Sequence, residues 1–317
     1  MRAISEIAGP AAEIRANQVS FPKGRKTGIF SGSTQMKAIR TTIIFLVLLL
    51  TAPAQGERKS LLVFAGAASK PPAEEAAKVY EGKTGVKVDL LFGGSGYVLS
   101  QMILGKKGDI YFPGSSDFME TAKRKGAVYQ ETERKVVYLV PALNVRKGNP
   151  KNIRKLGDLV APGLRVAIAR PDTVCVGLYA VEIIEKRLTK AQIKALRKNI
   201  VNYTESCEKT ATTISLNTAD AVMGWSVFQY WDPGRIETVN LAKEEILRVG
   251  YIPIAVSRYT KDKGSAQKFI DFILSDEGKA IFRKYHYFMT PEEAYRYIGV
   301  PKPVGGEYSV PAEWISK

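Results

Sequence analysis

The sequence predicts an α/β protein with mostly parallel sheets wrapped by helices. From residue 61 onward, strand-like and helix-like segments alternate, which is typical of parallel sheets. Three strand-like runs end in a glycine-bearing loop that leads into a helix, namely 61–64, 86–92 and 165–169. These strand–loop–helix units are the main basis for the predicted fold class.

The first half of the chain is assigned from local signals. Apolar residues at helical spacing, among them Ala73, Ala76 and Tyr80, predict a helix over 71–83, and Ser69 is a suitable start for it. The elements predicted next are strand 86–92, helix 97–104, strand 109–112, helix 116–125 and an extended segment over 136–145.

The second half continues the alternation. The predicted elements are a helical turn at 156–159, strand 165–169, helices 179–186 and 189–198, a short run at 200–203, a buried strand at 219–225 and an extended segment at 247–256. Pro253 favours an irregular or edge position in the last of these. Ser275 is a good N-cap between two closing helices, 263–274 and 276–285.

Residues 36–54 have the features of a secretory signal peptide. A basic start, an apolar stretch over 43–50 and the triplet Ala52-Pro53-Ala54 predict cleavage after that triplet. The apolar stretch is too short to span a bilayer, and Gln55 stands where a lipoprotein would have a cysteine. Residues 1–35 are interpreted as a misassigned start or a disordered leader. The mature chain is therefore expected in the periplasm or outside the cell.

Composition favours anionic ligands but not a nucleic-acid-binding class. The chain beyond residue 54 has a net charge of +11, and its basic residues are spread along predicted helices such as 189–198, as on solvated faces. Two cysteines, Cys175 and Cys207, and the lone His286 are too few for a zinc site. No nucleophile with a nearby base appears, so neither an enzyme activity nor a cofactor is expected.

The two N-terminal strand–loop–helix units predict an anion-binding site. Loops of this kind direct backbone N–H groups and serine hydroxyls at an anion. If their strands are parallel neighbours, the loops meet at the carboxyl edge of the sheet, where open α/β folds bind ligands. The alternatives are an N-cap role for Ser69 and a turn role for Ser95.

Five segments, in this order, resemble the molybdate-binding proteins of ABC importers. They are 63–69 (VFAGAAS), 92–95 (FGGS), 108–112 (GDIYF), 220–225 (DAVMGW) and 281–285 (IFRKY). The resemblance extends from about residue 61 to residue 288. It implies a two-lobed type II periplasmic binding protein fold with two crossover strands and the ligand enclosed between the lobes.

The resemblance also implies a domain organisation. Lobe 1 is expected to comprise 61–138 plus 253–290, and lobe 2 to comprise 139–252. Independently of the resemblance, the Pro, Gly and Tyr content of 291–317 predicts a C-terminal surface tail. The implied protein is a monomer that delivers its ligand to an ABC permease in the cytoplasmic membrane.

Mapped residue by residue, the resemblance implies five ligand-binding residues. The family's two serines fall on Ser69 and Ser95, and its two backbone N–H donors fall on Val176 and Cys207. Its ligand-facing tyrosine falls on Trp225, which is a departure. The indole offers one N–H donor to a ligand, and core packing is the alternative role.

The cysteines are a second departure from the family pattern. Cys175 adjoins one donor position and Cys207 occupies the other. In an exported protein a lone pair of cysteines is expected to form a disulfide. If both are free thiols at the cleft, a thiophilic metal or metalloid becomes the natural ligand.

A site made only of donors suits a fully ionised tetrahedral dianion. Molybdate, tungstate and sulfate have no proton to donate near neutral pH, whereas phosphate retains one and requires an acceptor. The expected ligand is molybdate or tungstate, with sulfate as an alternative. Asp172 and Glu205 are interpreted as ordinary loop carboxylates, the alternative being ligands that complete six-fold coordination, as in some archaeal tungstate binders.

Overall fold

The computed structural model describes residues 60–315. Within this range there are ten strands, β1–β10, and nine α-helices, α1–α9. No helix in the same range is long and apolar enough to cross a membrane. The predicted signal peptide at 36–54 and the leader at 1–35 lie outside the described residues.

The first sheet has the strand order β2-β1-β3-β10-β4. Its strands are β1 (Ser60–Gly66), β2 (Lys87–Gly93), β3 (Ile110–Phe112), β4 (Arg134–Leu139) and β10 (Gly250–Val256). β1 runs parallel to β2 and β3, whereas β10 runs antiparallel to β3 and β4. The helices around this sheet are α1 (Lys70–Thr84), α2 (Ser95–Gly105), α3 (Ser116–Arg124), α7 (Lys263–Leu274) and α8 (Asp276–Lys284).

The second sheet has the strand order β7-β6-β8-β5-β9. Its strands are β5 (Pro141–Arg146), β6 (Val166–Ala169), β7 (Ile200–Thr204), β8 (Ala221–Trp225) and β9 (Ile236–Asn240). β6 runs parallel to β7 and β8, whereas β5 runs antiparallel to β8 and β9. The helices of this sheet are α4 (Cys175–Arg187), α5 (Lys190–Asn199) and α6 (Cys207–Ser215).

Each sheet with its helices forms one lobe, called lobe 1 for the first sheet and lobe 2 for the second. In each sheet four strands share one direction and the fifth opposes them. The chain passes from lobe 1 to lobe 2 between β4 and β5 and returns before β10, which begins at Gly250. These two crossings and the mostly parallel strand directions confirm the predicted two-lobed α/β fold.

Two helices begin earlier than the sequence predicts. α2 begins at Ser95 and α4 at Cys175. A glycine lies in the first turn of each helix, Gly96 in α2 and Gly177 in α4. Close packing requires Gly177, since a Cβ there would lie 2.1 Å from the Ala169 carbonyl oxygen. Both helices therefore start directly at the ends of their preceding loops.

The C-terminal segment has more structure than a loose surface tail would have. It contains α9 (Pro291–Ile298), whose N-cap Thr290 accepts a hydrogen bond from Glu293 N. Further along, Trp314 is buried, with its indole N–H donating to Glu185 of α4 and the Arg197 guanidinium 4.2 Å from its ring centroid. This end of the chain is therefore held against lobe 2.

Candidate functional site

Two loops of lobe 1 form one wall of the site. β1 and β2 are parallel neighbours, and Gly66 pairs with Gly93 at their carboxyl ends. A 3-10 turn ending at Ser69 follows β1, and α2 begins at Ser95. Both serines are buried, Ser69 being 0% and Ser95 1% exposed. The structure thus brings the two predicted serines to the same edge of the sheet.

Gly66 lies beside both serines. The Ser69 hydroxyl donates to the Gly66 carbonyl at 3.2 Å. A Cβ on Gly66 would lie 2.6 Å from both Ser95 Oγ and Gly114 N, so only glycine fits at this position. Ser95 Oγ accepts a hydrogen bond from Gly114 N at 2.9 Å, and its own proton can still be donated to a ligand.

Two helix N-termini of lobe 2 form the opposite wall. α4 begins at Cys175, with Val176 in second position, and α6 begins at Cys207. All three residues are 1% exposed. The first N–H groups of a helix have no partner within the helix, and they carry its partial positive charge. Both helices can therefore offer N–H donors to an anion between the lobes.

The two walls touch each other. Gly96 N of lobe 1 donates to the Thr173 carbonyl of lobe 2 at 2.8 Å. A Cβ on Gly94 would lie only 2.8 Å from the carbonyl oxygens of Thr173 and Glu205. The structure is therefore a closed form in which the lobes enclose the site, and the glycines of the β2–α2 loop permit this closure.

Further contacts join the rims of the lobes. Lys70 Nζ pairs with Glu208 Oε1 at 2.6 Å. The rings of Tyr230 and His286 stack with their centroids 3.6 Å apart. Beside these contacts, a cleft of ≈ 470 Å³ opens at the mouth of the site; its lining includes Phe92, Tyr97, Arg170, Thr173 and Lys209.

The two cysteines are free thiols whose sulfurs lie 3.4 Å apart. Burial raises the pKa of Cys175 well above its ordinary value, and the neighbouring Cys207 raises it further. Cys175 is therefore neutral at physiological pH. The predicted disulfide is not formed in the structure, and the pairing stays a prediction.

Trp225, at the end of β8, is fully buried beside these thiols. Its ring packs edge-on against Tyr179, with centroids 5.0 Å apart, so it contributes to the core. Its indole Nε1 lies beside the Cys175 sulfur, although no acceptor among the described residues meets full hydrogen-bond geometry with it. A thiol sulfur is a weak acceptor, so this buried N–H can still donate to a bound ligand.

Three residues of the site were missed by sequence reasoning. Gly114 contacts Ser95, and a Cβ on it would lie 2.5 Å from Cys175 Sγ. Its loop, Pro113-Gly114-Ser115-Ser116, follows a strand as the two predicted loops do, so the same pattern could have identified it. Tyr287 and Arg248 have no such local pattern.

The Tyr287 hydroxyl donates to the Ala68 carbonyl, directly before Ser69. Burial raises the pKa of Tyr287 well above its ordinary value; Trp231 acts in the opposite direction, and Cys207 and Cys175 raise it. Tyr287 therefore remains a neutral phenol close to the cysteines. It places a phenol next to Ser69.

Arg248 lies behind the lobe 2 wall and supports it through Tyr179 of α4. Its guanidinium stacks on the Tyr179 ring at 4.0 Å and donates to the Tyr179 hydroxyl at 3.1 Å. Its Nε also pairs with Glu182 Oε2 at 2.7 Å. Burial would lower the pKa of Arg248, but Tyr179 and the carboxylate of Asp117 raise it overall, so the side chain stays charged.

The two loop carboxylates lie beside basic partners. The half-buried Asp172 pairs with Arg170 at 3.5 Å, and the exposed Glu205 pairs with Lys209. Within residues 60–315, no group of three or more His, Cys, Asp or Glu side chains could hold a metal ion. The functional groups assembled between the lobes are hydroxyls, helix N-termini, two thiols and an indole.

Known proteins share this architecture. A binding protein of Haemophilus influenzae is 28% identical over 232 residues, which cover 70% of this chain and 88% of that protein. The molybdate-binding protein ModA of Mycobacterium tuberculosis is 28% identical over 124 residues, covering 39% of this chain and 47% of ModA.

A sulfate-binding protein of Mycobacterium tuberculosis aligns in structure with a TM-score of 0.66 at 17% identity, covering 78% of this chain and 94% of that one, which supports the fold. The family model of the bacterial extracellular solute-binding proteins matches residues 61–288. Because this match spans both lobes, the chain belongs to the family of bacterial extracellular solute-binding proteins.

Proposed function

We propose that this chain is the receptor of an ABC importer and binds a tetrahedral oxyanion, molybdate or tungstate, between its lobes. One observation carries the proposal: two buried serine hydroxyls, two helix N-termini and an indole N–H that has only a thiol sulfur beside it lie around one closed site. The proposed ligand contacts are Ser69, Ser95, the backbone N–H groups of Val176 and Cys207, and Trp225.

The chemistry of these groups favours a dianion that carries no proton. Hydroxyl, backbone and indole donors satisfy the oxygens of molybdate, tungstate or sulfate. The proposed contacts include no carboxylate, and the Ala68 carbonyl beside Ser69 already accepts from Tyr287; Ser69 would turn its one hydroxyl proton from Gly66 O to the ligand. A phosphate that keeps its proton would find no carboxylate acceptor among these contacts and would bind less tightly.

The close approach of the lobes favours a compact ligand. Gly94 and Gly96 bring the β2–α2 loop against the backbone of lobe 2, so a ligand behind them is enclosed on this side. An oxyanion that contacts both walls binds the closed state better than an open one and shifts the population toward closure. The closed, loaded receptor would then be the form presented to the permease, and no catalytic step is required.

Thermal unfolding of the mature protein with added anions tests the proposal. Molybdate or tungstate at 100-fold excess over Kd should add about 2.7 kcal/mol to the free energy of unfolding, because they bind only the folded state. Phosphate should stabilise the protein much less. A sulfate effect as large as that of molybdate would indicate a general dianion site, and a smaller one would indicate a site sized for larger oxyanions. Equal midpoint shifts from all four anions would remove the argument from donor chemistry.

A receptor for a thiophilic metal or metalloid is the competing function, since Cys175 Sγ and Cys207 Sγ lie 3.4 Å apart. Metal ligation requires thiolates, and burial opposes ionisation of Cys175. The structure therefore favours the oxyanion. Elemental analysis of the purified protein distinguishes the two, because a thiophilic receptor would carry a soft metal or metalloid instead of molybdenum or tungsten.

A further inference from the structure

The end of lobe 2 that faces away from the cleft carries much of the chain's positive charge. Residues 146–199 contain thirteen Lys and Arg but only four Asp and Glu, which is +9 of the net +16. α4 is 13 residues long; it begins at the cleft and ends at Arg187, about 20 Å away. β5 also runs away from the cleft and ends at Arg146, so the segments that follow α4 and β5 lie at this distal end.

Nine basic side chains form what we call the basic pole. All nine are exposed, and they are Lys147, Lys151, Arg154, Lys155, Lys186, Arg187, Lys190, Lys194 and Lys198. Asn199 joins the two parts of the pole, since its Nδ2 donates to the carbonyls of Leu159 and Ala161 at 2.8 Å. No carboxylate among residues 60–315 forms an ion pair with any of the nine. The four acids of segment 146–199 have other partners: Asp172 pairs with Arg170, Glu182 with Arg248, Glu185 accepts from the Trp314 indole, and Asp158 accepts from the backbone N–H groups of Arg154 and Lys155.

The charges on α5 work against the helix that carries them. Lys190, Lys194 and Lys198 follow one another at four-residue spacing on its exposed face, where like charges repel. Lys190 also occupies the first helical position, where the helix dipole disfavours a cation. α5 contains no acidic residue to relieve either effect, and the helix dipole favours only Lys198, which lies in the last turn. Helix stability alone therefore does not explain why all three positions are lysine.

We infer that the basic pole docks the protein on a bilayer surface rich in anionic phospholipid headgroups. The nine positive charges of the basic pole complement the negative charges of such headgroups. An extracellular solute-binding protein also works beside a membrane. None of the large hydrophobic side chains exposed among residues 60–315, such as Tyr97 or Leu104, belongs to segment 146–199. Docking is therefore electrostatic and without insertion, and it leaves the cleft at the opposite end of lobe 2 free to exchange ligand.

Sedimentation with vesicles tests the inference on the mature protein. Vesicles of phosphatidylglycerol and phosphatidylcholine should carry the protein down at low salt, and pure phosphatidylcholine vesicles should not. The triple variant Lys190→Gln, Lys194→Gln, Lys198→Gln should bind the anionic vesicles about a hundredfold more weakly. Its oxyanion-induced thermal shift should equal that of the wild type, which separates this inference from the proposed function.

A matched triple variant controls for net charge. Lys261→Gln, Lys268→Gln and Lys279→Gln remove three exposed lysines from lobe 1, and this variant should bind the vesicles almost like the wild type. Equal weakening by both triple variants would show that net charge alone acts and would overturn the basic pole as a docking surface. Equal binding of the wild type to neutral and anionic vesicles, or no binding to either, would also overturn it.

Discussion

Arg248 and Asp117 form a buried ion pair between the segment that leads into β10 and helix α3 of lobe 1. Arg248 Nη2 lies 2.9 Å from Asp117 Oδ1, and Nη1 lies 3.2 Å from Oδ2. The same guanidinium donates to the carbonyls of Gly305 and Gly306 at 3.2 and 2.9 Å. The pair thus ties lobe 1, lobe 2 and the C-terminal segment together behind the ligand site.

Replacing this arginine should destabilise the whole fold. Arg248→Met leaves the buried Asp117 carboxylate without its partner, which should cost about 3–5 kcal/mol in the free energy of unfolding. Arg124→Met is the matched control, since Arg124 pairs with Glu307 at the exposed surface and should cost less than about 1 kcal/mol. Urea denaturation measures both, and similar losses would contradict a structural role specific to the buried pair.

Ser95→Ala should weaken oxyanion binding about tenfold to a hundredfold. The substitution removes a hydrogen bond to a charged ligand, worth roughly 1.5–3 kcal/mol. Ser100→Ala lies in the same helix with its hydroxyl bonded to Gly96 O at 3.0 Å, so it serves as the control. Titration calorimetry compares the two variants. An unchanged Kd for Ser95→Ala would show that Ser95 does not bind the oxyanion and has only the structural role of accepting from Gly114 N.

Gly94→Ala should block closure of the lobes. The backbone of Gly94, with φ −61° and ψ 138°, suits alanine. Strain therefore arises only where the new Cβ meets lobe 2, at the carbonyls of Thr173 and Glu205 and the side chain of Val174. Oxyanion affinity should fall at least about tenfold while the ligand-free protein stays folded. Gly82→Ala in α1 meets nothing within 4 Å and should preserve the affinity. Normal affinity of Gly94→Ala would mean that binding does not require this closed contact.

Cys175 and Cys207 are predicted to form a disulfide in the exported protein. The sulfurs need only approach from 3.4 Å to about 2.05 Å. The bond would fix the spacing of the N–H groups of Val176 and Cys207. Reduction should therefore weaken oxyanion affinity clearly while it changes the thermal midpoint of the ligand-free protein only slightly. Thiol titration of the unfolded, unreduced protein measures the pairing, and two free thiols would refute it. The double variant Cys175→Ser, Cys207→Ser should not respond to reductant.

Acid should destabilise the protein partly through Asp220. Burial by itself would raise the pKa of Asp220, but the hydrogen bonds from Arg165 outweigh burial and lower it below its ordinary value. A lowered pKa gives stability that is present above the unfolded-state pKa, near 3.9, and is lost as pH falls through the folded-state value.

The variant Asp220→Asn should therefore lose this stability at neutral pH and show a flatter decline of the thermal midpoint below about pH 4. Asp89→Asn, which removes the exposed pair with Lys87, should keep the decline of the wild type. Parallel midpoint curves for the wild type and Asp220→Asn would show that other carboxylates dominate acid unfolding.

The alternation of strands and helices was predictable because the spacing of apolar residues and the residues that start a helix can be read within a short stretch of sequence. The same holds for the loops that carry Ser69 and Ser95, each of which directly follows a strand. Parallel pairing of β1 with β2 then places both loops at one sheet edge, as expected for this fold class. The sequence therefore determined the fold class and the lobe 1 wall of the candidate site.

The rest of the site depends on how distant segments meet. Gly114, Arg248 and Tyr287 reach it from three separate parts of the chain, and no local period marks the last two. The closed contact between Gly96 and Thr173 and the approach of Cys175 to Cys207 likewise join segments that are remote in sequence. Such contacts follow from the two crossings between lobes, because only the tertiary arrangement fixes which buried groups share one space and which of them remain without a hydrogen-bond partner.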